Sequence, residues 1–305
     1  MNQKSFWSFF SRKNKGAVLE SPQFYGGDLS IRGSHLSLIY NTKTQVAGIS
    51  QEYQNLQPDA SFLKTFISII IIAYNEEKYL PALLASLEVQ SFKDFEIIIV
   101  DSNSTDKTTK AYEQFFTRFS EIRLIQLGCT KGPAYARNKG ASYAKYNRLL
   151  FLDADTLLKK DFLKLIVNEI KTRRTDVASC RIRIAENGLI SNFGAYFLNM
   201  FMISLKPFYI TSYGACLIST KNIHNRIGGF REDLAVCEDC NYIKRAKLFD
   251  AKFHILKPFF YTSDRRAKNE GSIALLIKYM KIHLTRIILR KEILNGEINY
   301  NYGDF

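Results

Sequence analysis

The chain has 305 residues, 46% hydrophobic and 24% charged, with a net charge of +14. That length buries a core without disulfide or metal staples, and the composition excludes collagen, coiled-coil rods and wholesale disorder. A positive field of this size attracts phosphates, whether in nucleic acid, nucleotide substrates or anionic lipid headgroups. The excess is uneven: Lys4, Arg12, Lys13 and Lys15 stand in residues 1–19 without an acid, and a second basic stretch runs over 256–294. Five cysteines at 129, 180, 216, 237 and 240 form no disulfide framework and fit a reducing compartment. Cys237 and Cys240 make a lone C-x-x-C, without the second pair or nearby histidines that a zinc site wants. No run reaches the ~18 apolar residues of a membrane span, and the aromatic N-terminus is too interrupted for a signal peptide. A cytoplasmic location is expected.

Residues 1–65 are polar with weak periodicity and predict an extension without its own core. From Phe66 the pattern changes. The Ile-rich run Phe66–Ala73 predicts a strand buried on both faces of a parallel sheet. A helix follows over Glu76–Val89, with apolar spacing at Leu80, Leu83, Leu84 and Leu87. Further strands are predicted at Phe95–Val100, Ile122–Leu127 and Arg148–Leu152. Helices are predicted at Thr105–Phe119 and at Pro133–Ala144, the latter with Pro in its first turn. This alternation predicts a doubly wound α/β fold. Beyond Asp155, helices are predicted at Phe162–Lys171 and Glu238–Leu248, strands at Asp176–Ile184, Gly214–Ser219 and Lys252–Tyr261, and a long final helix at Ser272–Leu294.

Open α/β sheets bind ligands beyond the carboxyl ends of their strands. Strand one ends in Tyr74–Asn75–Glu76, strand two in Asp101–Ser102–Asn103–Ser104, and strand four in Asp153–Ala154–Asp155. No G-x-G-x-x-G follows strand one and no G-x-x-x-x-G-K-[ST] occurs, so phosphates must be held without a glycine cradle. Two carboxylates at i and i+2 of a strand end suit a hard Mg²⁺ or Mn²⁺ completed by phosphate oxygens. A helix N-cap beside a turn carboxylate explains D-A-D equally well.

Six segments occur in order: A-Y-N-E-E (73–77), V-D-S-N-S-T-D-K-T (100–108), G-P-A-Y-A-R-N-K-G (132–140), L-D-A-D-T (152–156), I-G-G-F-R-E-D (227–233) and C-E-D-C (237–240). Together, from about Phe66 to Arg266, they resemble family 2 inverting glycosyltransferases of the GT-A fold. The resemblance implies a mostly parallel GT-A sheet with flanking helices over 66–265, an N-terminal extension over 1–65, and a basic amphipathic helix and tail over 266–305. It implies that Ala73, Tyr74, Glu76, Asp101 and Ser102 meet the nucleoside of a nucleotide sugar, with a lean to UDP. Arg137 would approach the nucleotide or diphosphate, Asp153 and Ala154 the ribose, and Asp155 with Asp153 the metal. Gly214 would form the floor, where a small residue admits sugar close to backbone. Arg265 and Arg266 resemble a segment that closes over the diphosphate. Glu238 and Asp239 would be the acidic pair at a helix start, with Asp239 as the single base that inverting transfer needs. Neither His254 nor His283 matches the position of a C-terminal metal ligand found in some relatives.

The implied partners are a nucleoside-diphosphate sugar and a glycan or lipid-linked acceptor, in polysaccharide, glycolipid or cell-envelope synthesis. Nucleic acid is not expected, because the crevice is acidic and the basic charge sits at the ends. The last helix carries one apolar stripe of Ile273, Leu276, Ile277, Met280, Leu284, Ile287 and Ile288, and a second of Leu275, Ile282, Leu289 and Ile293. Lys278, Lys281, Arg286 and Arg290 lie between them. One stripe should pack on the catalytic domain. The other is open to a partner subunit, the extension or an anionic membrane surface, an ordinary buried helix being the plain alternative. Two other classes stay open: a metal-dependent nucleotidyltransferase, and a basic nucleic-acid- or membrane-binding protein with an inactive GT-A domain.

Overall fold

A computed structural model describes residues 65–185, 189–206, 208–289 and 291–297. Residues 1–64 of the expected extension, Arg290, and the tail past Glu297 lie outside the described residues. The sequence alternation becomes β1 (Ile67–Ala73), α1 (Leu80–Glu88), β2 (Phe95–Asp101), α2 (Thr108–Glu113), β3 (Ile122–Gln126), α3 (Pro133–Tyr143) and β4 (Arg148–Asp153). Then come β5 (Thr156–Leu157), α4 (Phe162–Arg173), β6 (Val177–Ile184), α5 (Leu189–Leu205), β7 (Cys216–Thr220), α6 (Lys221–Arg226), α7 (Glu238–Lys247), β8 (Phe253–Thr262), α8 (Arg265–Glu270) and α9 (Ser272–Ile288).

The strands form one sheet in the order β3-β2-β1-β4-β7-β6-β8-β5. β1 pairs in parallel with β2 and β4, β2 with β3, and β6 with β8. β7 runs antiparallel to β4 and β6, and β5 antiparallel to β8. The strand directions therefore reverse at β7, and the sheet is mostly parallel rather than wholly so.

The Ile run of β1 divides by pleat, as a period of two requires. Ile67, Ile69 and Ile71 pack with Leu80, Leu83, Leu84 and Leu87 of α1 and with Phe162 and Ile166 of α4. Ile70 faces the other layer, with Ala134 and Ala136 of α3, Phe151 of β4 and Tyr242 of α7. α3 approaches this layer closely through Gly140, where an added Cβ would stand 2.3 Å from Cγ2 of Ile70.

Several boundaries differ from expectation for local reasons. α1 starts at Leu80 with Pro81 in its first turn, which leaves Asn75–Tyr79 as a loop over the strand ends. α2 begins only at Thr108, because the Asp106 carboxylate takes the Thr108 N–H at 2.9 Å. α9 stops at Ile288, six residues short, because Leu294 bridges to Leu234 instead of continuing the helix.

The two apolar stripes of α9 divide unevenly between core and surface. Of its smaller stripe, Ile282 and, past the helix end, Ile293 are buried against Ala235 and Val236, whereas Leu289 is exposed. Ile277, Met280, Leu284, Ile287 and Ile288 of the larger stripe are exposed. Arg286, between the two stripes, is buried, donating to Glu292 at 2.8 Å and to the Tyr209 hydroxyl at 2.7 Å. No helix among the described residues is long and apolar enough to cross a membrane.

Candidate active site

The carboxyl ends of β1 and β2 are tied together by side chains that cap backbone donors. Asn75 N–H donates to Ser104 Oγ at 2.9 Å, and Thr105 N–H to Asn75 Oδ1 at 2.9 Å. Glu76 N–H donates to Thr108 Oγ1 at 2.8 Å. Asn75 and Asn103 take left-handed backbone, φ 55° and 66°, which asparagine tolerates. Ala73 stands opposite Asp101 in the β1–β2 register, and Ser102 N–H donates to Ala73 O at 2.8 Å. The Asp101 carboxylate is buried and accepts from Ser104 N–H at 3.2 Å and from the Ser104 hydroxyl. Tyr74 is half-buried in the same loop.

At the next strand end, Asp155 turns its carboxylate to the start of the C-terminal segment. Its Oδ2 accepts from Ser263 Oγ at 3.0 Å and Thr262 Oγ1 at 3.3 Å, with Arg265 Nε 3.8 Å away. Arg265 also grips both oxygens of Glu76 and lies 4.8 Å over the Tyr79 ring. Burial pushes the Glu76 carboxyl up to about 7 against the pull of Arg265. Burial and the Asp153 charge raise Asp155 likewise, opposed by Arg265 and the two hydroxyls.

Arg137 sits at the centre, not on the surface. It is 2% exposed on α3 and donates to Glu238 Oε1 at 2.6 Å, Asp153 Oδ1 at 2.8 Å and Gly214 O at 3.2 Å. The adjacent Asn138 fixes α3 against the loop before α7: its Nδ2 donates to Phe230 O at 2.9 Å and its Oδ1 accepts Phe230 N–H at 2.7 Å. Burial disfavours the Arg137 charge, yet Asp153 and Glu238 hold it firmly protonated. Burial raises the Glu238 carboxyl, with Arg137 opposing and Asp239 reinforcing the rise.

Glu238 and Asp239 open α7, whose preceding Cys237 is left-handed at φ 60°. The exposed N–H groups of this first turn favour carboxylates there. Asp239 Oδ2 accepts from Ser212 Oγ at 2.6 Å. A Cβ on Gly214 would lie 3.3 Å from Arg137 Nη2 and 3.6 Å from Asp239 Cγ, so this glycine preserves the approach of the two groups.

The fold thus joins Glu76, Asp153, Asp155, Arg137, Arg265, Glu238, Asp239 and Gly214 in a connected set, with Ala73, Asp101, Ser102 and buried Ala154 at the neighbouring strand ends. Arg266 belongs to a different cluster, donating to Glu270 at 2.9 Å and Tyr279 Oη at 3.2 Å. His254 meets Thr175 at 2.9 Å and His283 meets Tyr209 at 3.3 Å. Ser212, Ser104, Thr108, Thr262 and Ser263 receive no individual role from the sequence, because each acts on a partner that only the fold brings near. The one available signal was their place beside strand ends.

The donors around Asp155 and Asp153 fit a hard divalent cation. They are carboxylate oxygens, bordered by the Thr262 and Ser263 hydroxyls and Arg265 at Asp155 and by Arg137 at Asp153. The described residues hold no group of three or more His, Cys, Asp or Glu side chains able to bind a metal, so such a cation would complete its shell from phosphate and water.

Residues 68–234 match Glycosyl transferase family 2. The chain belongs to that family. This family 2 chain is 25% identical over 248 residues to the poly(ribitol-phosphate) β-N-acetylglucosaminyltransferase TarS of Staphylococcus aureus, covering 78% of the chain and 42% of TarS. It therefore spans about two-fifths of that relative's length. It is 22% identical over 258 residues to the cholesterol galactosyltransferase of Borreliella burgdorferi, covering 78% of the chain and 72% of that protein. The crystal structure of TarS 1–349 with UDP superposes with TM-score 0.54 at 25% identity, over 65% of this chain and 60% of that one. A Pyrobaculum calidifontis mannosyltransferase solved with GDP-Man and Mn²⁺ gives 0.56 at 19% identity, over 73% and 65%. The fold is of the GT-A glycosyltransferase type.

Proposed function

We propose that this family member is an inverting transferase that moves a sugar from a nucleoside diphosphate, UDP favoured, to an acceptor hydroxyl of a cell-envelope glycan or a glycolipid. One observation carries the reading: a single buried guanidinium, Arg137, holds both Asp153 at the donor-side strand end and Glu238 beside Asp239. Donor and acceptor chemistry thereby share one rigid support.

In this reading Asp239 takes the acceptor proton, and the acceptor oxygen attacks the anomeric carbon. The bond from that carbon to the diphosphate oxygen breaks, and the nucleoside diphosphate leaves. Ser212 fixes one Asp239 oxygen and so aims the carboxylate; Glu238 anchors the helix start to Arg137. Asp101 accepts from a ring N–H of the base, Tyr74 lies against it, and Glu76 orders the loop through Arg265. Gly214 leaves room for the sugar. Asp155 and Asp153 would hold Mg²⁺ or Mn²⁺, which when bound neutralises the leaving diphosphate. No protein acid is then required, in contrast to the paired carboxylates of hydrolases.

The UDP preference draws on the solved TarS complex with UDP. The acceptor class draws on relatives named for poly(ribitol-phosphate) and cholesterol. A thermal-shift panel of nucleoside diphosphates with and without Mn²⁺ tests the donor side. At a hundredfold excess over Kd, the true ligand adds ~2.7 kcal/mol of stability. UDP with Mn²⁺ should give the largest shift, and Asp155→Ala should lose the metal-dependent part. Equal shifts with and without metal would remove the metal from the account, and a larger shift with another base would replace UDP.

A further inference from the structure

α5 and α9 are in contact. The Phe201 and His283 rings lie 6.5 Å apart, and Tyr209, just past α5, meets His283 at 5.8 Å and receives a hydrogen bond from Arg286. Each helix buries one face and leaves the other bare. α5 buries Ala195, Asn199 and Met202, and Asn199 uses its amide to bond both the N–H and the C=O of Ile182 in β6. Its opposite face exposes Phe193 (71%), Tyr196, Phe197 and Met200 at helical spacing. α9 exposes Ile277 (62%), Met280, Leu284, Ile287 and Ile288 (71%), the first, second, third and last lining one apolar groove with Lys281.

The charge on these helices has one sign. Residues 189–205 contain no charged side chain, and 272–288 contain Lys278, Lys281 and Arg286 with no acid. Arg286 is buried on Glu292 and Lys278 is paired with Glu270, so Lys281 is the exposed cation beside the groove. A stretch of aromatic and aliphatic side chains bordered by lysine, and free of carboxylates, complements an interface of acyl chains and anionic headgroups.

We propose that the exposed faces of α5 and α9 form a docking surface for an anionic lipid bilayer. The chain lies on the membrane through these faces, with Phe197, Leu284 and Ile288 entering the headgroup boundary and Lys281 meeting phosphates. The proposal deepens the transferase reading, since it places a lipid-linked acceptor within reach. It does not need that reading, because docking requires neither donor nor turnover.

The test is co-sedimentation of the full chain with phosphatidylcholine vesicles and with vesicles also containing phosphatidylglycerol, at low and high salt. The chain should pellet with the mixed vesicles and much less with the neutral ones. Phe197→Asp with Leu284→Asp should lower partitioning at least about tenfold, since each removes an exposed apolar side chain that the bilayer would bury. Lys281→Glu should cost about fivefold or more at low salt and little at high salt. Circular dichroism and UDP binding report whether each variant is folded, and Phe197→Ser with Ile288→Ser replaces the aspartate pair if it is not. Wild-type chain left in the supernatant with mixed vesicles overturns the proposal, as does undiminished binding by a folded apolar variant. If light scattering instead shows a dimer that these substitutions dissociate, without vesicle binding, the surface belongs to a second copy and the proposal fails. In either case the transfer assay stands as a separate result.

Discussion

Replacing Arg137 with methionine keeps much of the side-chain volume and removes the charge that holds the site together. The variant loses hydrogen bonds of 2.6 Å to Glu238, 2.8 Å to Asp153 and 3.2 Å to Gly214 O. Removing one member of a buried ion pair costs ~3–5 kcal/mol, because the partner's charge is left uncompensated. For a domain of this size that is a fall of roughly 6–20 °C in Tm. The loss should depend on pH. Burial already raises the Glu238 carboxyl above its ordinary range while Arg137 opposes the rise. Without Arg137 the folded value climbs further above the unfolded one. A raised folded pKa confers stability that is present at low pH and lost as pH rises through it. The deficit of Arg137→Met should therefore widen between roughly pH 5 and pH 8. Adding Glu238→Gln removes the stranded charge and should recover roughly 0.5–3 kcal/mol. Urea melts of the three proteins at both pH values measure all of this. A deficit under ~1 kcal/mol at pH 8, or one that does not change with pH, would refute the bridge as an energetic link.

Three further outcomes are expected. Gly140→Ala forces a Cβ to 2.3 Å from Ile70 Cγ2 and 3.1 Å from Val100 Cγ2, and should destabilise by ~1–3 kcal/mol in urea melts; a neutral result would mean that α3 can shift off β1. Glu76 is raised to about 7 by burial, so the ligand-free chain should lose stability as pH rises through that value, and Glu76→Gln should flatten the decline; an unchanged slope would place the titration elsewhere. Ser212→Ala removes the 2.6 Å bond to Asp239 and should slow transfer roughly 10–100-fold, the worth of a hydrogen bond to a charge, with UDP affinity unchanged; equal loss of UDP affinity would make Ser212 a structural residue.

What the sequence disclosed divides by range of interaction. β1, β2 and β4 were legible to within a residue, because unbroken runs such as Ile69–Ile72 can only be buried on both faces of a sheet. The strand-end acids were legible for the same reason, since a strand end in an open α/β sheet faces the crevice. α5 was not among the predicted elements; the fold turns the polar Asn199 inward to bond the N–H and C=O of Ile182 in β6, which periodicity does not reveal. The antiparallel run of β7 against β4 depends on a return path and not on composition. The resemblance singled out Arg137, but its two carboxylates stand 16 and 101 residues away in sequence, and local pattern carries no information on such pairings. The burial of Arg286 was hidden for the same reason; Glu292 and Tyr209 reach it only after the chain turns back.

The central claim is that Asp239 is the base and that the donor is held independently of it. Asp239→Asn keeps size and the bond from Ser212 while removing the capacity to take a proton. The decisive measurement pairs UDP–Mn²⁺ affinity by calorimetry with nucleoside diphosphate release in the presence of acceptor. Affinity should stay near wild type while transfer falls ~10²–10⁴-fold, the usual worth of a general base. Near-normal transfer by Asp239→Asn would contradict the account, and if Glu238→Gln were the inactive variant the base would be Glu238.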